Sequence, residues 1–342
     1  MYLYANYDLK ERNTFGVSCK ARYFAEIKHA SAIPTLRQDP KLASLPWMIM
    51  GGGSNLLLTH DLDALVLSCN YDEIKIVKED QHSVWLSVGA GRSWHELVTY
   101  TVEQGWWGLE NLALIPGKVG AAPVQNIGAY GAEVQDTITR IQSFDLRDGR
   151  RVELRKNECH FAYRDSIFKH ELSNRVLIHR VTFRLLKQST PNLVHEPLHE
   201  AMFSNNPSLK LEDFSPRMVY DAVINLRQQR IPDPAVLGSA GSFFKNPSIT
   251  LKHFQQLQQQ YPDIPGHKLT NGCIKVPAAW LIEKAQWKGR RVDEVGTYYK
   301  HALILVNYGK ASGKDILSVA EMIREAVINH FSISLEKEVV IW

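Results

Sequence analysis

Between Ile115 and Gly131 the chain places four glycines, three alanines and two prolines in seventeen residues, and this stretch constrains the fold more than any other. Side chains so small leave the backbone uncovered, so N–H groups can point at the phosphate oxygens of a ligand. The same composition suits a tight turn packed between strands, and a glycine pattern taken alone does not choose between the two. A second bare stretch, Gly51-Gly52-Gly53-Ser54-Asn55, lies in the same half of the chain. It lacks the Lys-Ser/Thr ending of a P-loop. Neither stretch has the G-x-G-x-x-G spacing of the dinucleotide fingerprint. A diphosphate cradle of another kind remains.

The patterning around these loops is mixed α and β. Trp47 to Leu58 reads as a strand, the glycine turn and an apolar continuation, and Val84 to Val88 alternates as a strand does. A helix starts at Ser93, with Glu96 completing a capping box, and stops at Gly105. Ile138 to Leu186 carries β-type signals, with a turn at Gly149 and strands at Arg151–Leu154 and Arg175–Leu185. Lys187 to Pro216 is polar, with prolines at 191, 197, 207 and 216, and reads as a loop-rich insertion with little core of its own. Beyond Ile231-Pro232-Asp233-Pro234 a helix is expected at Pro277–Trp287, with Pro277 at its first position, and a strand at Ala302–Val306. A second helix follows at Asp315–Phe331 and a final strand at Ile333–Ile341.

Composition removes several classes of function. The net charge of +4 is spread along the chain, and the longest basic run is Lys288-Gly289-Arg290-Arg291. That is a solvated surface or a modest field for a small anionic substrate rather than a nucleic-acid face. Cys19, Cys69, Cys159 and Cys273 form no C-x-x-C pair, so neither a zinc ribbon nor a disulfide framework is expected. No metal site is expected. Met1 to Arg12 lacks a signal pattern and no apolar run reaches the ~20 residues that span a bilayer. A cytoplasmic protein without membrane insertion is the expectation.

The motifs, taken in order, carry a resemblance. Asn13-Thr14-Phe15-Gly16, the Gly-Ser-Asn turn, and Glu110-Asn111-Leu112-Ala113-Leu114 through Gly131 are followed by Tyr163-Arg164-Asp165-Ser166-Ile167-Phe168-Lys169 and by Gly238 to Pro247. Ala302 to Asn307 and Leu335-Glu336-Lys337-Glu338-Val339 complete the set. Over nearly its whole length the chain resembles the UDP-N-acetylenolpyruvoylglucosamine reductase family. The resemblance implies an α+β fold: an FAD-binding fold of the vanillyl-alcohol oxidase type plus a C-terminal α+β substrate-binding domain. The expected division is two flavin subdomains at 1–66 and 67–220 and a substrate domain at 221–342, with the last strand returning towards the flavin.

The implied reaction reduces UDP-N-acetylglucosamine enolpyruvate to UDP-N-acetylmuramate in peptidoglycan precursor synthesis, with FAD as cofactor and NADPH as co-substrate. The resemblance assigns FAD to Gly51, Gly53, Ser54 and Asn55, and to Ile115, Pro116, Gly117, Gly120, Ala121, Ala122, Ile127, Gly128 and Tyr130. Hydride transfer from flavin N5 to the enolpyruvyl CH₂ carbon builds negative charge beside the carboxylate, so a fixed cation and a water-excluded proton donor are needed. Arg164 suits the cation, its planar fork matching a carboxylate, although an arginine there can equally pair with Asp165 or Glu171. Ser242 is implied as the donor, Glu338 as its catalytic partner, and Tyr163 and Asn246 as substrate ligands. Alternation along a strand puts Glu336 and Glu338 on one face; only the motif selects Glu338.

Two positions depart from the family pattern, and a third, His301, stands where a glutamine or histidine is usual. His195 stands where a loop tyrosine normally reaches the nucleotide diphosphate, and it is either a pH-dependent donor or an exposed loop residue. Arg230 replaces a lysine near the diphosphate, and His301 stands at a substrate-side position. A monomer is expected from the resemblance. A related FAD-dependent oxidase would keep the cradle without the Arg164, Ser242 and Glu338 set, and a binding module would lose the proton donor.

Overall fold

The computed structural model describes residues 1–205 and 208–342. Asn206 and Pro207, including one of the prolines that marked the insertion, lie outside the described residues. The chain forms two compact units: residues 1–7, 21–52 and 63–229 make the first, and residues 8–20, 53–62 and 230–342 the second. The helix Pro216–Arg230 runs through position 220, where a domain boundary was expected.

The first unit is built on two sheets. One has four strands in the order Tyr2–Asp8, Lys20–Ile27, Leu62–Cys69, Trp47–Ile49. Leu62–Cys69 is buried at seven of its eight positions, the nearly continuous apolar run of a strand covered on both faces. It pairs in parallel with Trp47–Ile49, setting Trp47 opposite Leu65. The second sheet is antiparallel, in the order Arg151–Arg155, Ile138–Asp145, Val176–Leu186, Ser83–Gly89, Ile74–Glu79. Its central register sets Leu86 opposite Phe183 and Val88 opposite Val181, all fully buried. Helix Trp94–Glu103 begins as its cap predicts, with Ser93 Oγ accepting from the Glu96 N–H. Its Trp94 indole donates to the Leu112 carbonyl at 2.9 Å, tying the helix to the start of the glycine-rich segment.

The insertion differs from its expectation. Glu196–Asn205 is a helix, and Leu198, Met202 and Phe214 are buried in the same core as Val219 and Val223 of helix Pro216–Arg230. Three apolar side chains spaced through a polar stretch suffice to fasten it down, so it is a packed helical cover and not a bare loop.

The second unit holds a four-stranded sheet in the order Gly238–Ser242, His301–Asn307, Val295–Tyr298, Arg291–Val292. Helix Gly313–Phe331 packs on it with Ile316, Val319, Ile323, Val327 and Phe331 buried, the spacing of one helical face. Helix Ala278–Lys284 has Pro277 at its N-cap rather than its first turn. The final strand is much shorter than expected. Ile333, Leu335 and Val339 are buried, but only Val340–Ile341 forms a ladder, parallel to Leu56–Leu57. The intervening backbone bonds instead to the loop after Ser242, which is irregular, so no strand assignment results.

Among the described residues no helix is long and apolar enough to cross a membrane, and no group of His, Cys, Asp and Glu could hold a metal ion.

Candidate active site

The two glycine-rich stretches meet inside the first unit. A Cβ on Gly51 would lie 2.8 Å from the Ala121 Cβ, and one on Gly52 would lie 2.8 Å from the Gly117 Cα. A Cβ on Gly120 would fall 2.6 Å from that of Ala90. Bare positions at Gly51 and Gly52 are therefore required for the loops to touch, and one at Gly120 for the segment to lie against Ala90. Among the described residues, the N–H groups of Gly51, Gly52 and Gly117 donate to no protein acceptor, so the contact leaves a group of donors for an outside acceptor. Such a nest is the chemistry that binds a diphosphate.

Other expected cofactor residues are placed differently. Ala122 and Ile127 are buried in the core of the unit, so their side chains anchor the segment and only their backbone can face a ligand. Tyr130 sits at a positive φ of 50°, and its carbonyl accepts from Asn111 Nδ2 at 2.9 Å. The same Asn111 amide donates to the Asn192 carbonyl, and Asn192 Nδ2 donates to the Gly131 carbonyl. The root of the insertion is thus bonded to the end of the glycine-rich segment. His195 follows there, its ring 5.0 Å from that of Tyr130, edge to face.

Arg164 is delivered to this segment by three hydrogen bonds. Asn126 Nδ2 donates to the Ala162 carbonyl at 3.0 Å, Ser166 Oγ to the Val124 carbonyl at 2.6 Å, and Arg164 itself to the Gly128 carbonyl at 2.6 Å. The turn places Arg164 at φ 55° with its guanidinium 5.2 Å from the Tyr163 ring centre. Asp165, one of the alternative partners, is engaged by His170 at 2.9 Å.

The second unit gathers another set. Strand Gly238–Ser242 ends at Ser242, set opposite Ile304 beyond a register shift, with Gly241 at φ 70°. Phe243 and Phe244 are buried and meet edge to face. The Phe243 carbonyl accepts from the Glu338 N–H at 2.8 Å, and the Lys245 N–H donates to the Glu336 carbonyl at 2.8 Å. Ser242 and Glu338 therefore lie on adjoining backbone runs. Glu336 is solvent-exposed and salt-bridged to Lys245, which separates it from Glu338 as periodicity could not. In the same unit are Gly53, Ser54 and Asn55. Asn55 Nδ2 donates to the Glu338 carbonyl at 3.1 Å.

The expected substrate residues fall into two groups. Asn246 Oδ1 accepts from the Ala278 N–H at 2.9 Å, so the side chain caps a helix and offers only its amide nitrogen elsewhere. His301 Nδ1 accepts from the Leu303 N–H. Burial first, and then the charges of Arg230 and Lys288, hold its pKa below the usual histidine value. Arg230 and His301 are thus electrostatic neighbours, with Lys288 an unforeseen third.

Two further cations of the first unit escaped the sequence reading. Lys118, inside the glycine-rich segment, reaches Ser68 Oγ and the Cys69 carbonyl, each at 3.4 Å. Arg227 has its Nε buried without a hydrogen-bond partner among the described residues, and it is close enough to His95 and Tyr130 to interact electrostatically.

Residues 21–155 match the model of the FAD binding domain, and the bare cradle formed by Gly51, Gly52, Gly117 and Gly120 fits that cofactor. The protein is a flavin-dependent oxidoreductase. Residues 233–342 match the C-terminal domain of UDP-N-acetylenolpyruvoylglucosamine reductase. The reductase of that name from Amoebophilus asiaticus is 43% identical over 99% of each chain, and one from Burkholderia cenocepacia is 42% identical over 98% of this chain and 96% of its own. The crystal structure of the Thermus caldophilus reductase superposes with a TM-score of 0.69 at 23% identity, covering 100% of this chain and 98% of that one. The chain belongs to the UDP-N-acetylenolpyruvoylglucosamine reductase family, the flavoenzymes of peptidoglycan synthesis.

Proposed function

We propose that this enzyme reduces UDP-N-acetylglucosamine enolpyruvate to UDP-N-acetylmuramate at the expense of NADPH, as a cytoplasmic monomer. The observation that carries the reading is the 2.8 Å bond from the Glu338 N–H to the carbonyl of the residue after Ser242. It ties together the two segments that the reaction needs for proton delivery. We retain the division at 66 and 220 as the outline of two flavin subdomains and a substrate domain.

Bound FAD supplies the hydride that adds to the enolpyruvyl CH₂ carbon. Arg164 then offers its planar guanidinium charge to the carboxylate on which negative charge grows. Its bond to the Gly128 carbonyl fixes the guanidinium before substrate arrives, so little reorganisation is left for the reaction itself. Ser242 holds the proton for the carbon beside that carboxylate, and buried Phe243 and Phe244 keep the strand end dry. A hydroxyl is a weak acid, so Glu338 is required either to hold a proton or to hydrogen-bond the forming acid. Arg230, His301 and Asn246 serve the UDP-sugar, with Tyr163 beside Arg164, and His195 serves its diphosphate from the insertion.

Stopped-flow measurement under anaerobic conditions separates the two halves of the cycle. Ser242→Ala is expected to leave flavin reduction by NADPH intact and to slow reoxidation by the enolpyruvyl substrate about 10²–10⁴-fold. Arg164→Ala is expected to impair the second half far more than the first. Reoxidation of Ser242→Ala at the normal rate would remove the serine from its role, and an equal loss in both halves for Arg164→Ala would mean a folding defect.

A further inference from the structure

A nest of backbone N–H groups gives a diphosphate direction but no net charge, and FAD brings two ionised phosphates into it. The residue next to Gly117 is a lysine. Its backbone nitrogen would lie 3.4 Å from a Cβ on Gly52, so Lys118 belongs to the contact between the two glycine-rich stretches. Its neighbours in the segment are locked: the Gly117 carbonyl accepts from Trp94 N–H, and the Val119 and Gly120 N–H groups donate to the Arg92 and Ala90 carbonyls. The stem of Lys118 consequently leaves a fixed point beside the free N–H groups of Gly51, Gly52 and Gly117. The ammonium rests 3.4 Å from Ser68 Oγ and 3.4 Å from the Cys69 carbonyl, at the end of strand Leu62–Cys69. Charge-assisted bonds normally close to about 2.7–2.9 Å, so both contacts are long, and a flexible four-carbon stem can exchange them for a stronger acceptor.

We propose that Lys118 is a cofactor-positioning residue, whose ammonium pairs with the diphosphate of FAD and supplies the positive charge that the glycine nest lacks. The oxygens of Ser68 and Cys69 that the amine reaches are both neutral. With FAD bound the amine moves along the nest and binds phosphate oxygen. The lysine takes no part in the reduction itself, since its charge acts on the dinucleotide end of the cofactor.

Release of FAD from the purified holoenzyme, followed by the rise in flavin fluorescence on dilution, tests this without reference to turnover. Lys118→Met keeps the length of the stem and removes the charge; Lys118→Arg keeps the charge. At low salt Lys118→Met is expected to release FAD about tenfold faster than wild type, with the gap narrowing at high salt as the ionic contribution is screened. Lys118→Arg should stay within about threefold of wild type. Release at the wild-type rate from Lys118→Met overturns the proposal. So does faster release that salt does not attenuate, because that marks lost packing rather than lost charge. If Lys118→Met purifies without flavin, titration of it with FAD gives the affinity directly, and an affinity insensitive to salt by the same comparison counts against the lysine. A wild-type protein that holds no FAD at all would instead sink the flavin assignment on which this inference rests.

Discussion

Asn55 and Glu338 are 283 positions apart and are joined by a hydrogen bond of 3.1 Å from the asparagine amide to the glutamate carbonyl. The next residue but one, Val340, donates its N–H back to the Asn55 carbonyl at 3.1 Å. One asparagine thus straps down the backbone that carries Glu338, through its side-chain amide and its own carbonyl. The turn expected to serve the cofactor also holds the segment that carries Glu338.

Replacing Asn55 by Ala removes the amide bond and leaves the carbonyl one. The lost bond is worth about 1 kcal/mol, so the melting temperature should fall by only a few degrees. Reoxidation of reduced enzyme by the enolpyruvyl substrate should slow more than reduction by NADPH, because Glu338 loses its fixed backbone. Stopped-flow absorbance checks this, and equal slowing of both steps would show that the asparagine acts only through the flavin.

Gly52→Ala places a methyl group 2.8 Å from the Gly117 Cα and 3.3 Å from its carbonyl carbon. Backbone on both sides cannot retreat as a side-chain tip can, so the loops must part. Overpacking of this kind costs about 1–3 kcal/mol. The variant should purify with a clearly lower ratio of flavin absorbance to protein absorbance, and full flavin content would refute the contact.

Arg227→Leu tests the enclosed guanidinium. Burial pushes the pKa of this arginine down, and only the Tyr130 hydroxyl acts in the other direction. A buried charge without a paired acceptor is destabilising, so the leucine variant without ligand should melt a few degrees higher than wild type. Its gain in melting temperature on adding FAD or substrate should be smaller. Differential scanning calorimetry with and without each ligand decides, and a lower melting point for the free variant would show that Arg227 already has its partner.

His179 supplies a pH dependence. It lies between Tyr71 and Phe144, with ring centres 4.4 and 4.8 Å away, and burial, then the Arg180 charge, depress its pKa to about 4. In the unfolded chain the ring binds a proton near pH 6.5. The unfolded state therefore holds more protons between these values, and stability is lost as the pH falls from about 6.5 towards 4. The ring is only part-buried, so the loss is about 1–2 kcal/mol after allowance for solvent screening. Thermal melts at neutral and acidic pH should show a smaller drop for His179→Phe than for wild type.

Much of this was legible in the chain. The glycine-rich stretches announced themselves because their function needs missing side chains, and a missing side chain is visible in sequence. The cap of the helix at Ser93 works locally, and the apolar face from Ile316 to Phe331 repeats at a period any helix must show. Arg164 was legible as a motif, but its delivery was not. That depends on a left-handed turn and on hydrogen bonds with residues about forty positions upstream.

Lys118 and Arg227 were missed for a common reason: a cationic residue type carries no mark of what encloses it. The insertion was misjudged because prolines and polar residues dominate its composition, while its anchoring rests on a few scattered apolar side chains, Leu198, Met202 and Phe214 foremost. Residues 333–341 misled in the opposite sense. Alternating apolar residues report which side chains face inward and say nothing of where the backbone groups bond; here the Glu336 carbonyl and the Glu338 N–H meet the irregular loop after Ser242.

The second unit draws on three separate stretches of sequence, and in chain order residues 21–52 and 63–229 of the first unit fall between them. On the ribosome, everything that the first unit requires has been made once Gln229 emerges. Asp8–Lys20 and Gly53–Leu62 must by then have waited through its synthesis, and they wait about a hundred residues more for the segment that pairs with Leu56 and Leu57. Contacts this distant in sequence form slowly, and apolar Leu56, Leu57 and Leu58 stay uncovered meanwhile. The birth order of the chain therefore makes the Gly-Ser-Asn turn one of the last parts to settle, and a nascent chain stalled before its final strand is a natural client for chaperones.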